Sequence, residues 1–281
     1  MNPTEWTRRH FIHAAGAASL AGTWPALAAA EPPPETTRIR IENRPIACLA
    51  PLHVAEPLLR AEGFTQVEYV NVVPLAEGPG RALAAGEIDL IQDDPVAYMQ
   101  GLDRGWPIVV LGGVHTGCWE LFGQLSIQTL RDLKGKSIAA PEKSSRQAFV
   151  AAMLASVGLD PRKDVTWVNH DTSVSMRLFE QGKIDAFMGF VPEPQILRAK
   201  KVGQVLIDTL SDKPWSQYFC CLVGSNREFV RKHPVAAKRA LRAVLKAIDL
   251  CVSQPERAAR LMVERGVAVP NFEHVLQAVK D

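Results

Sequence analysis

Two similar α/β lobes in tandem are the fold that the sequence predicts, and two observations predict it. Segments of strand character alternate with segments of helical spacing from Arg38 to Phe190, the pattern of a mostly parallel sheet covered by helices. The chain also repeats itself. Leu83-Ala84-Ala85-Gly86-Glu87-Ile88-Asp89-Leu90 and Phe179-Glu180-Gln181-Gly182-Lys183-Ile184-Asp185-Ala186 share a helix end, a Gly cap, Ile-Asp and an entering strand. Each is followed by an acid-Pro pair, Asp94-Pro95 and Glu193-Pro194. Each Gly-x-Ile-Asp unit needs a sheet of its own to enter, so two lobes fit better than one long sheet, and two lobes leave a cleft.

The elements follow in order. A strand is expected from Arg38 to Leu49, interrupted near Pro45, and then a helix from Pro51 to Glu62 with Leu52, Ala55, Leu58 and Leu59 at helical spacing and Gly63 as its stop. Strands at Val67–Val73 and Ile88–Gln92 flank a short helix at Gly80–Ala85, and Pro95 opens a helix to Arg104 before a strand at Pro107–Leu111. The second series begins after Gly112-Gly113. A strand leads into Pro141, Ser144 or Ser145 caps a helix through Val157, Trp167 and Val168 are strand-like, and Ser173–Gln181 is helical before the Ile184–Phe190 strand. From Val235 an apolar stripe of Ala237, Leu241, Val244, Ile248 and Cys251 opposes Lys238, Arg239, Arg242 and Lys246, a basic face read as solvated surface. Two further helices are expected, Pro255–Glu264, ended by Gly266, and Phe272–Lys280, which carries no C-cap signal.

Composition narrows the function. With 281 residues, 47% hydrophobic and 22% charged, the chain can bury a substantial core, which excludes disorder. A formal charge of +2, with no basic run interleaved with aromatics, gives no footprint for nucleic acid. The apolar stretch from Ala14 to Ala30 is broken by Pro25 and falls short of the roughly twenty residues of a bilayer span. Arg8-Arg9 before it and Ala28-Ala29-Ala30 at its end resemble a twin-arginine (Tat) export signal, residues 1–30, cleaved after Ala30. No Cys lies near enough to be lipidated, so a soluble periplasmic protein is expected. The five cysteines (Cys48, Cys118, Cys220, Cys221, Cys251) form no disulfide framework and no Cys-x-x-Cys spacing, and are read as buried thiols.

Five stretches together carry a family resemblance: Ala50-Pro51-Leu52-His53-Val54-Ala55, Gly86-Glu87-Ile88-Asp89, Leu133-Lys134-Gly135-Lys136, Gly158-Leu159-Asp160 before Asp164-Val165, and Gly182-Lys183-Ile184-Asp185. In this order and spacing the chain resembles the periplasmic solute-binding proteins of ABC importers in the nitrate/taurine/sulfonate and thiamine-pyrimidine-precursor group, of the type 2 periplasmic binding fold. The resemblance implies two Rossmann-like lobes joined by two crossing strands, with a small-molecule ligand trapped by hinge closure and passed to an ABC permease in the inner membrane. The implied division is 36–112 plus 225–281 for lobe 1, 113–216 for lobe 2, and 217–224 for the second crossing strand. The protein is expected to be a monomer, to need no cofactor and to have no catalysis of its own. The eukaryotic pyrimidine-precursor-synthesising enzyme of the same fold is the alternative, as is a sulfonate or nitrate binding protein.

Ligands of parallel α/β sheets sit at the C-terminal ends of strands and at helix N-termini. That rule selects Leu52 and His53 after the first strand, Asp93 and Asp94 after the Ile88 strand, and His115, Trp119 and Glu120 at the first crossing; in the second lobe it selects Ser144, Ser145, Arg146 and Glu193. Asp93 is a carboxylate acceptor for amino or ring N–H groups, whereas Asp94 either shares that role or N-caps the Pro95 helix. Trp119 either stacks a flat ligand or fills interlobe core. Ser144-Ser145-Arg146 is either an anion site or a plain N-cap followed by a solvated Arg. His53 and His115 lie in no ligand-spaced motif, so no metal is expected. No Ser-His-Asp order, phosphate loop or dinucleotide Gly fingerprint supports catalysis. The four carboxylates outnumber Arg146, which predicts a heteroaromatic or amine-bearing ligand such as a pyrimidine precursor rather than a bare anion.

Overall fold

A computed structural model describes residues 31–72, 78–266 and 272–280. The Tat-type signal expected over residues 1–30 lies outside the described residues. From Pro34 onward the chain forms one compact unit built on two five-stranded sheets.

The first sheet has the order β2-β1-β3-β10-β4, with β1 at Arg38–Asn43, β2 at Gln66–Asn71, β3 at Leu90–Asp93, β4 at Ile108–His115 and β10 at Cys221–Asn226. The second has the order β7-β6-β8-β5-β9, with β5 at Trp119–Gly123, β6 at Ser137–Ala139, β7 at Thr166–Val168, β8 at Ala186–Phe190 and β9 at Gln204–Asp208. Neither sheet is all parallel. In each, three parallel strands are followed by one antiparallel strand, β10 or β5, and that strand is the first to enter its sheet after the chain has crossed from the other. The crossings are residues 116–118 and 209–220. The first is tight: Gly117 and Cys118 both take positive φ, +84° and +77°, a conformation that glycine adopts freely and cysteine does not.

The first helix is split into α1 (Ala50–Val54) and α2 (Glu56–Ala61), because Pro57 brings no N–H to a continuous ladder. Three helices then alternate with the strands, α3 (Gly78–Ala84), α4 (Pro95–Asp103) and α5 (Ser145–Ser156), and α6 (Thr172–Glu180) and α7 (Glu193–Lys200) complete the second sheet's cover. After β10 the chain is helical: α8 (Arg227–Lys232), α9 (Pro234–Ser253), α10 (Pro255–Glu264) and α11 (Phe272–Lys280). The α9 N-terminus is capped from a distance, since the Glu35 carboxylate accepts from the Val235 and Ala236 N–H groups at 3.0 and 2.9 Å. Ala237, Val244 and Cys251 of its apolar stripe are buried, Leu241 and Ile248 are half-buried, and the helix packs on α1 and α2. Its basic face is not simply solvated, because Arg242 and Lys246 both donate to the Glu62 carboxylate, at 3.1 and 2.7 Å, and Arg239 to the Glu62 carbonyl at 2.8 Å.

The two Ile-Asp motifs perform one job twice. Asp89 accepts from the backbone N–H of Arg40 on β1 at 2.8 Å, and Asp185 from that of Ser137 on β6 at 2.9 Å, so each pins its strand entry to the parallel neighbour. No helix among the described residues is long and apolar enough to cross a membrane.

Candidate functional site

On the first sheet's side the cleft is built over a buried ion pair. Glu42, at the end of β1 and without exposure, accepts from Arg44 Nε at 2.6 Å and from the Gln92 backbone N–H at 2.5 Å. Arg44 also donates to the Gln92 carbonyl at 2.7 Å and stands 3.8 Å from Asp93. Burial pushes the Glu42 carboxyl upward against the pull of Arg44. The same burial raises Asp93 to about 7, with Arg44 opposing and the Glu42 and Asp94 charges adding to the rise. Asp93 can therefore present either a carboxylate or a neutral acid near neutral pH.

Asp94 is the N-cap of α4, with Oδ1 accepting from Val96 and Ala97 at 2.8 and 3.0 Å. Its second oxygen reaches across to the other sheet's helices and accepts from the Ser145 hydroxyl at 2.7 Å. A second contact beside it runs from Gln100 Nε2 to the Lys143 carbonyl at 3.2 Å. Asp93, Asp94 and Ser145 share the wall of a 260 Å³ pocket with Tyr98 and Trp106.

Ser144 N-caps α5, accepting from Gln147 N at 3.2 Å. Arg146 is neither solvated nor free for an anion. Its guanidinium makes a bidentate pair with Glu193 at 2.8 and 3.0 Å and donates to the Met188 carbonyl at 2.5 Å. Trp119 is core: Phe149 stacks at 5.6 Å, Phe190 lies tilted at 4.7 Å, and Arg146 sits 5.4 Å over the ring, so its faces are taken by the protein. Leu52 and His53 are also buried, because α1 turns them away from the cleft; His53 Nε2 meets the Arg44 carbonyl at 2.9 Å, and burial drops its pKa to about 4. The charge imbalance expected from sequence does not survive, since Glu193 pairs with Arg146 and Glu120 with Arg198 at 2.5 Å.

A larger cavity, 790 Å³, lies beside the crossings and is walled by residues of both sheets and of the C-terminal helices. His115 and Glu120 face it, together with Arg198, Asp208 and Lys280, while Val114, Val191, Ile248 and Val279 make its apolar walls. Of these only His115 and Glu120 were visible to strand-end reasoning; Arg198, Asp208 and Lys280 come from elements whose place in the cleft depends on the tertiary fold. The sequence reading also missed that Cys48, Cys118 and Cys221 gather around His115, with the donor atoms of all four within 4.8 Å of one another. These could hold a metal ion.

The residues matched by the family model described as "NMT1/THI5 like" run from 66 to 258, more than two thirds of the chain. The chain belongs to the NMT1/THI5-like family. Among relatives, a binding protein of Brucella abortus is 26% identical over 178 residues, covering 63% of this chain and 55% of its own length, so the chain spans about half the length of that relative. The 4-amino-5-hydroxymethyl-2-methylpyrimidine phosphate synthase THI13 of Saccharomyces cerevisiae is 24% identical over 226 residues, covering 74% of this chain and 66% of the synthase. Among solved structures, the periplasmic aliphatic sulphonate binding protein SsuA from Escherichia coli superposes with a TM-score of 0.70 at 20% identity, covering 86% of this chain and 83% of that one. The two sheets of this NMT1/THI5-like chain and their crossings thus have the periplasmic binding protein fold.

Proposed function

We propose that this chain is an exported solute-binding protein whose two lobes close on a small organic molecule and deliver it to an ABC permease, with no covalent chemistry of its own. One observation carries the reading: Asp94, capping a helix of the first lobe, bonds Ser145 at the helix start of the second, and a 790 Å³ cavity lies between the same two lobes at the crossings. That volume is in the range of small-molecule sites and would be left mostly empty by an inorganic oxyanion. Mixed polar ends on largely apolar walls suit an amine-bearing or heteroaromatic ring such as a pyrimidine precursor. Its N–H groups would meet Asp208 and the carboxylate side of the Glu120–Arg198 ion pair, and its ring Val114, Val191 and Ile248.

The test is a thermal-shift panel of 4-amino-5-hydroxymethyl-2-methylpyrimidine, an alkanesulfonate and nitrate. A true ligand at a hundred times its Kd adds about 2.7 kcal/mol. The pyrimidine is expected to raise Tm and nitrate to leave it unmoved. Stabilisation by nitrate alone, or turnover of any bound compound, would overturn the reading. Export has its own test: Arg8→Lys with Arg9→Lys should abolish periplasmic accumulation, and normal accumulation would refute the Tat route.

A further inference from the structure

We propose that Cys48, His115, Cys118 and Cys221 form a binding site for one Zn²⁺ ion at the junction of the two crossings. The inference is independent of the solute reading, since it rests on side-chain positions alone. The four donors come from three places in the chain: Cys48 from the turn after β1, His115 and Cys118 from either side of the first crossing, and Cys221 from the start of β10, where it pairs with His115 across the ladder. Three thiols and one imidazole are the donor set of a structural zinc site.

The spacing fits. Bonds of about 2.3 Å to sulfur and about 2.0 Å to nitrogen in a tetrahedron require donor separations of about 3.8 Å between sulfurs and about 3.5 Å from sulfur to nitrogen. Cys118 Sγ stands 3.6 Å from His115 Nδ1, and all four donors lie within 4.8 Å, so small side-chain rotations complete the tetrahedron.

The surroundings are those of a ligating histidine. His115 Nδ1 faces Cys118 Sγ at 3.6 Å as well as the Thr116 carbonyl at 3.2 Å, and Nε2 faces the Cys48 carbonyl at 3.2 Å, an outer bond of the kind that fixes the tautomer of a metal-bound imidazole. Gln92, fully buried, donates to the same carbonyl at 2.7 Å, and its Oε1 has no partner among the described residues. Cys118 is held beside His115 by the tight first crossing, where it takes a left-handed backbone, φ +77°. Three of the four residues also line the 790 Å³ cavity, which gives an ion a route in. A bound Zn²⁺ would tie the β1 turn to both crossings, bracing the place where the lobes join.

The test uses the full chain, reduced and stripped with a chelator, then titrated with Zn²⁺ and with Co²⁺ against a competing chromophoric chelator. One equivalent should bind, and the Co²⁺ form should show thiolate-to-metal charge transfer with tetrahedral d–d bands. Cys48→Ser and Cys118→Ser should each weaken binding by about a hundredfold or more, since changes one shell further out already reach that scale. Cys251→Ser, a thiol on the same cavity but outside the cluster, should change nothing. In the unmutated protein Zn²⁺ should also shield Cys48 and Cys118 from alkylation, which guards against variants that fail to fold. No stoichiometric binding, preference for Cu(I) with no zinc bound, an octahedral cobalt spectrum, or unchanged alkylation would overturn the proposal.

Discussion

The two acid-Pro corners of the repeat start alike and end differently. Glu193 in the second lobe turns onto Arg146 of its own lobe and onto the Phe190 N–H at 2.7 Å, closing a pair that holds one lobe together. Asp94 in the first lobe caps its helix with one oxygen and spends the other on Ser145 of the opposite lobe. Both acids therefore grip the first turn of α5, one from within its lobe and one from across the cleft. Repetition of a local motif sets where a carboxylate stands; what it bonds to decides whether it is a strut or a latch.

That distinction can be broken in several ways. The largest effect is expected at the shared struts. Asp89→Asn removes the negative charge and one of the two oxygens that accept from the Arg40 guanidinium and backbone N–H, and should cost about 3 kcal/mol in urea unfolding. The counterpart Asp185→Asn, whose partners are the Ser137 N–H and hydroxyl, should cost about 1 to 2 kcal/mol; equal costs would refute the ranking. Glu193→Gln should cost about 2 kcal/mol by leaving a little-exposed Arg146 half-paired, with no change in lobe opening. A shift in opening without loss of stability would make Glu193 a latch as well.

A smaller effect is expected from pH. Asp93 holds its proton to about 7 in the folded protein and to about 4 when unfolded, so between those values the native state binds more protons than the unfolded one. Its contribution is present at low pH and is lost as pH rises through 7, by at most about 1.4 kcal/mol per unit. The difference between wild-type and Asp93→Asn stability should follow that slope between pH 4 and 7; a flat difference would show that Asp93 is ionised throughout. The smallest change in stability is expected for Ser145→Ala, under about 1 kcal/mol, yet it should raise the population of open molecules in interlobe distance measurements. An unaltered distance distribution would remove Asp94–Ser145 from the latch.

Strand-end and cap rules made much of the fold legible, because Gly86, Gly182 and Pro95 act through near neighbours, while the Ile-Asp pairs stood out by repetition although their partners, Arg40 and Ser137, lie 49 and 48 residues away. The antiparallel β10 and β5 were hidden, since their direction depends on how the chain returns between lobes. Asp94 and Ser144 could be read as caps for the same local reason. Trp119 and Arg146 could not be resolved, because what covers an aromatic face or pairs a guanidinium comes from distant residues, Phe149, Phe190 and Glu193. The cysteine and histidine cluster was invisible to spacing rules: Cys48 and Cys221 meet His115 only because β10 inserts between β3 and β4.

A solute trap requires that the two lobes close over the molecule they hold. Small-angle scattering of the protein, with and without a compound that has passed the thermal-shift panel, measures this most directly. Closure predicts a smaller radius of gyration with the compound at saturation, and a smaller decrease for Ser145→Ala at the same occupancy. An unchanged radius for the wild type at full occupancy would contradict a two-lobed trap.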